Sequence, residues 1–527
     1  MALTYISATT IGAGAQFSFA ASGDQLVVLS GVTLASTSGA VLGGQAFDNL
    51  SMTVLGTLAT ASGLGFTGLD VTLHIARGAN LLSMDTDAGN AAVFLDGDRG
   101  TLLNDGTISS SQSVALLSTG GNLVTNSGEI QATSGVFLGL FGASGDRLTN
   151  SGRITANQHD DDNRDMRFNN AVHTEGGNTR IVNLAGGEIV ATSSEGAGVR
   201  FGTSAGNGRL NNAGTITSVQ HYGVSLETVF SAEALISVVN TGTISGGAGA
   251  YLGSTNADRL VNRGLMLGDV AMGAGNDTLD ARGGTVEGNV DLGDGDDIYL
   301  GRGAEVSGTI AGGAGNDTMS GSAAIEEVFD GGTGVDTLDF RFGGAATLAL
   351  DNSFESDGAA AGDSYTGFER VTGSARGDMI RGNASANVLN GLDGADTLDG
   401  ADGADVINGG HGADVLTGGM GNDSFRYMSL DDFGDQITDF RNASGNNDRF
   451  QFSASGLGGG LAAGALAAGA FISRTDNLAQ DADDRFIFRT TDQTLWYDAD
   501  GSGAGAALMV AALQPGITLT SADIVLI

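Results

Sequence analysis

Six consecutive nine-residue units fill residues 373–426, and they limit what this chain can fold into more than any other feature. The last two read Gly-Gly-His-Gly-Ala-Asp-Val-Leu-Thr (409–417) and Gly-Gly-Met-Gly-Asn-Asp-Ser-Phe-Arg (418–426). Glycines permit positive φ, so the backbone can turn tightly and aim main-chain carbonyls and the position-six Asp at one hard cation. The next three residues alternate outward, inward, outward, which predicts a short strand. Two units make an 18-residue coil, so position-six residues 18 apart share an edge. One edge carries Asp378, Asp396 and Asp414; the other carries Asn387, Asp405 and Asp423. Ser374 replaces a glycine in the first unit and Asn387 replaces the Asp of the second, so both are expected to bind a cation weakly.

A looser version begins at Gly268, where 268–287, 288–307 and 308–327 align as 20-residue coils with one such turn each. Asp277, Asp297 and Asp317 follow in register, with Asp336 one residue early. Across both runs the expected backbone partners are Gly273, Gly275, Gly293, Gly295, Gly313, Gly315, Gly332 and Gly334, then Gly394, Gly403, Gly410, Gly412, Gly419 and Gly421. Oxygen ligands in this arrangement predict Ca2+.

A different repeat, apolar-any-Asn-small-Gly-any-Ile, occupies the amino-terminal half around Asn104, Asn126, Asn150, Asn183, Asn212, Asn240 and Asn262. Spacings of 22, 24, 33, 29, 28 and 22 residues suit one coil per copy, with insertions at loops. Leu102, Ile108 and their counterparts should stack in columns, the asparagines in a ladder against the turn backbone. Val93-Phe94, Val136-Phe137 and Val199 with Phe201 supply a further strand per coil. The predicted fold is all-β: a right-handed parallel β-helix continuing into a calcium-binding parallel β-roll, with a small C-terminal β domain. The expected segments are a lead-in (1–90), the β-helix (91–267), 20-residue coils (268–339), a connection (340–372), the roll (373–427) and a C-terminal domain (428–527).

Composition narrows the class. Glycine at 89 of 527 residues with one proline excludes collagen, and the regularly placed Ile, Leu and Val exclude a disordered linker. The formal charge is −38, all 23 basic residues are arginine, and the first is Arg77. No basic stripe exists for nucleic acid, and no basic segment opens a cleaved signal, so a retained amino terminus is expected. No stretch is apolar enough to span a membrane as a helix. Without cysteine there are no disulfides, which leaves bound metal as the candidate to stabilise so acidic a chain.

The units 312–320 and 331–339 meet every constrained position of the repeats-in-toxin (RTX, haemolysin-type) nonapeptide. The segment 366–373 resembles the lead-in of that family. Trp496-Tyr497-Asp498-Ala499-Asp500-Gly501-Ser502-Gly503-Ala504-Gly505 and the terminal 523–527 resemble its type I secretion domain. The resemblance covers roughly half the chain. It implies one-step export from a Gram-negative cell by type I secretion machinery without a cleaved signal, and a roll that folds on meeting calcium outside.

Other motifs read as ordinary surface. His159-Asp160-Asp161-Asp162 is expected in a solvated loop, and His173 with Glu175 as a surface pair on a strand. No His-Glu-x-x-His occurs, so a zinc protease is excluded. Arg376-Gly377-Asp378 places its Asp in phase with the nonapeptide, which makes the adhesion tripeptide a coincidence; Asp498, Asp500 and Ser502 belong to a hairpin turn. The expected function is a secreted calcium-binding solenoid with a structural or adhesive role at the cell surface and no catalytic residues. The alternative is an extracellular polysaccharide lyase or epimerase using the N-terminal β-helix, with polysaccharide or the cell surface as partner.

Overall fold

The computed structural model describes every residue except 1, 39–41, 44–46, 84–90, 96–97, 111–112, 118–119, 133, 139–144, 158–168, 194–195, 203–205, 228–234 and 322–325. The chain forms two compact units, Met1–Ile298 with Glu305–Gly308, and Tyr299–Ala304 with Thr309–Ile527.

In the first unit coils from Ser51 onward give one strand to each of three parallel sheets, and the third strands of the first two coils, Phe17–Ser18 and Leu42–Gly43, pair with each other. One sheet runs from Leu3–Ile6 through Thr101–Asn104 to Thr278–Asp280. The second runs from Thr10–Gly12 to Glu305–Val306, and the third from Leu64–Phe66 to Val290–Asp294. Alternation along strands such as Thr101–Asn104, Leu123–Asn126 and Thr215–Ser218 buries one residue in two. The resulting columns are Leu102, Val124, Leu148, Ile181, Leu210 and Val238 on the first sheet, and Ile108, Ile130, Ile154, Ile189, Ile216 and Ile244 on the second, all 0% exposed. Each buried side chain contributes about 1.5–3 kcal/mol by leaving water.

The asparagines form the expected ladder. The Nδ2 of Asn104, Asn126, Asn150, Asn183, Asn212 and Asn240 donates to the Oδ1 of the asparagine one coil on at 2.7–2.9 Å. The same amide group also donates to a carbonyl of the second sheet one coil on, such as Asn126 to Arg153 at 3.2 Å and Asn212 to Thr243 at 3.0 Å. The coils continue ahead of this signature. Register places Ile6, Val28, Val54 and Ile75 in the column that Asn104 joins, so the amino-terminal coils fill with apolar side chains the position later held by amides.

The second unit keeps parallel pairing with shorter coils. Thr318–Ser320, Thr337–Asp339, Arg370–Thr372, Val388–Asp393, Val406–His411 and Ser424–Tyr427 make one sheet. Ala346–Ala349, Met379–Arg381, Thr397–Asp399, Val415–Thr417 and Asp435–Ile437 make the facing one. Between them lie Val371, Leu389, Ile407 and Phe425 against Ile380, Leu398, Leu416 and Ile437. The C-terminal segment extends both sheets: Arg449–Phe452 and Ile524–Leu526 on one, and Leu508–Leu513 with its antiparallel neighbours Thr494–Tyr497 and Phe486–Arg489 on the other. Aromatic rings close this end, with Phe440–Phe450 at 5.0 Å and Phe452–Phe486 at 4.7 Å between centroids. Residues 498–507 link two antiparallel strands, which makes Asp498, Asp500 and Ser502 part of a hairpin loop.

Candidate metal centre

The nine sequence-assigned aspartates, Asp277, Asp297, Asp317, Asp336, Asp378, Asp396, Asp405, Asp414 and Asp423, are all buried at the coil edges. Stacking brings successive ones together through one repeated contact, in which the backbone N–H of an aspartate donates to Oδ1 of the aspartate one coil on. In the first unit this joins Asp277 to Asp297 at 2.7 Å. In the second it joins Asp317 to Asp336 at 2.8 Å, Asp378 to Asp396 at 2.7 Å, Asp396 to Asp414 at 2.8 Å and Asp405 to Asp423 at 2.9 Å.

One carboxylate oxygen is thereby satisfied and the other is not. The Oδ2 atoms of Asp277, Asp336, Asp396, Asp405, Asp414 and Asp423 are buried and accept no hydrogen bond. An unsatisfied buried carboxylate is costly, so either a proton or a cation must occupy it. Burial pushes Asp277 up to about 8, Asp396 and Asp405 to about 7 and Asp336 to about 6; backbone N–H donation opposes the shift and neighbouring carboxylates add to it. Asp414 and Asp423 rise for the same first reason.

All fourteen glycines assigned to the turns have positive φ, from 94° at Gly410 to 151° at Gly412. Leu392 and Ala401 hold the equivalent place in the third and fourth nonapeptides and are forced to φ of 77° and 74°. The leading glycine of each unit serves another purpose. It has ordinary φ, but a Cβ at Gly391, Gly400, Gly409 or Gly418 would sit 2.2–2.6 Å from Oδ2 of Asp396, Asp405, Asp414 or Asp423. That glycine makes room for the folded-back carboxylate. Among the described residues no three carboxylate or imidazole side chains are arranged to hold a metal ion by themselves, so main-chain carbonyls must supply most of any cation's shell. Orphaned carboxylate oxygens, carbonyl-rich turns and the absence of thiolates fit a hard divalent ion.

The edges extend beyond the residues that the repeat identifies. Asp258 donates its N–H to Asp277 Oδ1 at 2.6 Å, and Asp336 donates to Glu369 Oε2 at 2.9 Å. Asp414 donates to Asp435 Oδ1 at 3.0 Å and Asp423 to Asp448 Oδ1 at 3.1 Å. Burial pushes Asp435 up to about 8, and its Oδ2 also lacks a donor. Asp258 follows Ser254 in a Gly-Ser-x-x-x-Asp turn like that of Ser374, a signal the sequence does contain; Asp435 and Asp448 follow single positive-φ glycines, Gly434 and Gly445, outside the nonapeptide pattern.

The two assigned units that depart from the pattern are built differently. Asp378 accepts from Ser374 N–H at 2.6 Å, Ser374 Oγ at 3.1 Å and Ala346 N–H at 2.6 Å. It is 3% exposed, which keeps Arg376-Gly377-Asp378 from presenting its carboxylate.

The surface pair expected at His173 and Glu175 is instead buried, because the flanking residues 169–176 lie inside the unit. His173 is 2% exposed, with Nε2 3.1 Å from Glu175 Oε1 and Nδ1 3.2 Å from Asn170 Nδ2. Burial holds its imidazole below the ordinary pKa despite Glu175. Arg200, paired in register with His173, forms an ion pair with Glu227. His159-Asp160-Asp161-Asp162 lies outside the described residues.

A family model described as the RTX calcium-binding nonapeptide repeat matches four copies, at residues 307–324, 365–398, 372–407 and 391–425. No curated protein matches the chain.

Proposed function

For a chain that carries RTX calcium-binding repeats of the haemolysin type, we propose calcium-dependent folding outside the cell. The chain is exported unfolded, closes its aspartate-bearing coils in external calcium, and acts as a structural or adhesive solenoid at or beyond the cell surface. The observation that carries this reading is the row of buried Oδ2 atoms without donors. With about six sites and dissociation constants of about 0.1–1 mM, calcium at ten times that constant adds about 1.4 kcal/mol per site. The sum, roughly 8 kcal/mol, rivals the net stability of a domain, about 5–15 kcal/mol. Inside a cell the contribution vanishes and the carboxylates repel one another at strand spacing, about 4.8 Å.

Export by type I secretion machinery is supported by the resemblance of 496–505 and 523–527 to such secretion domains. Circular dichroism in millimolar calcium and in EGTA tests the folding reading. We expect the β signal to fall in chelator, and an unchanged spectrum would reject it. The alternative, a polysaccharide lyase or epimerase, has in its favour His173, Glu175, Arg200 and Glu227 gathered on successive coils. An imidazole buried to 2% exposure is a poor general base, so the scaffold reading leads. Cleavage of uronic-acid polymers that is lost in His173→Ala would reverse that order.

A further inference from the structure

The first coil of the roll, residues 373–390, differs from the next two in how it satisfies its turns. In coils 391–408 and 409–426 the second and fourth positions of each turn take positive φ, and the position-six carboxylate keeps an oxygen without a donor. In 373–390 neither Ser374 and Arg376 nor Asn383 and Ser385 takes positive φ. Second-position backbone N–H groups, with polar side chains beside them, close the turns instead.

On one edge Ser374 gives Asp378 two donors, its N–H to Oδ2 and its hydroxyl to Oδ1, while accepting from Arg376 N–H at 3.2 Å. On the other edge Asn387 Oδ1 accepts from Asn383 N–H at 2.8 Å, and Asn387 Nδ2 donates to Glu369 O at 3.3 Å. Asn383 in turn accepts from Ser385 N–H at 2.8 Å and donates to Phe368 O at 3.2 Å. No side-chain oxygen of Asp378 or Asn387 is left buried without a donor. A related serine contact stands one coil ahead of Asp277 in the first unit, where Ser254 gives Asp258 Oδ2 both its N–H at 2.8 Å and its hydroxyl at 2.9 Å but Oδ1 stays buried without a donor.

We propose that coil 373–390 closes both its turns without calcium and presents a finished, metal-independent edge to the coils that need the ion. At Asp378 the Ser374 backbone N–H reaches Oδ2, the oxygen that the lateral N–H of Ala346 leaves over, and the Ser374 hydroxyl adds a donor to Oδ1; at Asn387 the Asn383 backbone N–H reaches the single Oδ1, so these donors do what the cation does further along. The backbone follows: with the second-position N–H turned toward the position-six side chain, the carbonyls need not turn inward, and the glycines are dispensable. Departures from the repeat at Ser374, Arg376, Asn383 and Asn387 are thus a coherent replacement of one closing chemistry by another.

The inference rests on the calcium reading of 391–426, and hydrogen exchange on the full chain separates the two. At stepped calcium concentrations, peptides within 391–426 should gain protection as calcium rises. Peptides within 366–390 should already be protected in EGTA, by about tenfold or more over 391–426. If 366–390 gains protection at the same calcium midpoint as 391–426, the proposal is overturned while the calcium reading stands. If 391–426 ignores calcium, the calcium reading falls, and protection of 366–390 in EGTA still decides whether its turns close alone. A second arm restores the glycine pattern with Ser374→Gly and Arg376→Gly. Equilibrium dialysis should then count a single additional ion per chain, with 366–390 becoming calcium-dependent. A folded double variant with an unchanged count would also overturn the proposal.

Discussion

The asparagine ladder of the first unit and the aspartate rows of the second are the same geometric object with different chemistry. Each stacks one buried polar side chain per coil at the end of a short parallel strand. Asparagine carries donor and acceptor together, so Asn126 both accepts from Asn104 and donates to Asn150, and the column closes on itself. Ionised aspartate only accepts. Asp396 therefore takes a backbone N–H on Oδ1 and leaves Oδ2 empty-handed, and every further coil adds another negative charge to the row. One oxygen-for-nitrogen exchange turns a self-sufficient ladder into one that needs an external cation.

The largest expected consequence is selective loss of structure on chelation. Hydrogen exchange in EGTA should strip protection from 391–437 and leave 101–262 protected, a difference of roughly 6 kcal/mol for the four sites at Asp396, Asp405, Asp414 and Asp423. Equal loss in both regions would erase the contrast. Next comes a chemical swap inside the ladder. Asn150→Asp would remove the donors to Asn183 Oδ1 and Glu188 O and place a charge at a 0% exposed position. We expect a loss of about 3–5 kcal/mol in urea titration, not recovered by calcium. The reverse swap should be milder: Asp405→Asn should remove about 1.4 kcal/mol of calcium-linked stability while making the roll less sensitive to EGTA.

How much of this was legible follows the same divide. The Asn-Gly-Ile and Gly-Gly-x-Gly-x-Asp repeats identify their own turns and columns because both ladder positions need a particular side chain. The coils at Ile6, Val28, Val54 and Ile75 carry no such demand, and any apolar residue fills them, so register rather than pattern reveals them. Asp435 and Asp448 were invisible for a related reason: they join the rows from 21 and 25 residues away through non-repeating chain. The burial of His173 was hidden because a two-residue spacing fixes a shared face without saying whether that face is covered.

Acidity sharpens the contrast further. Without calcium, Asp396 and Asp405 are raised to about 7 and Asp435 to about 8 from an ordinary 3.8. A raised folded-state pKa means that folding takes up protons, so this stability is present in full below about 3.8 and is lost as pH rises through about 7 to 8. Thermal unfolding of the roll in EGTA should therefore shift downward between pH 5 and pH 8, and calcium binding at pH 7 should release protons to a weakly buffered solution. The asparagine ladder has nothing to titrate. The smallest effect is conformational: Leu392→Gly should stabilise the calcium-loaded roll by about 1 kcal/mol by relieving its positive φ, read as a lower calcium midpoint.

By itself the sequence determined the coil period, the inward columns and the calcium turns, because these are set by local periodicity and by glycine's access to positive φ. Tertiary stacking decided what each turn is worth. Whether an aspartate oxygen meets a backbone N–H, a serine hydroxyl or nothing depends on the neighbouring coils, and only the stacked coils place Asp435 beside Asp414 or Ser374 and Ala346 around Asp378.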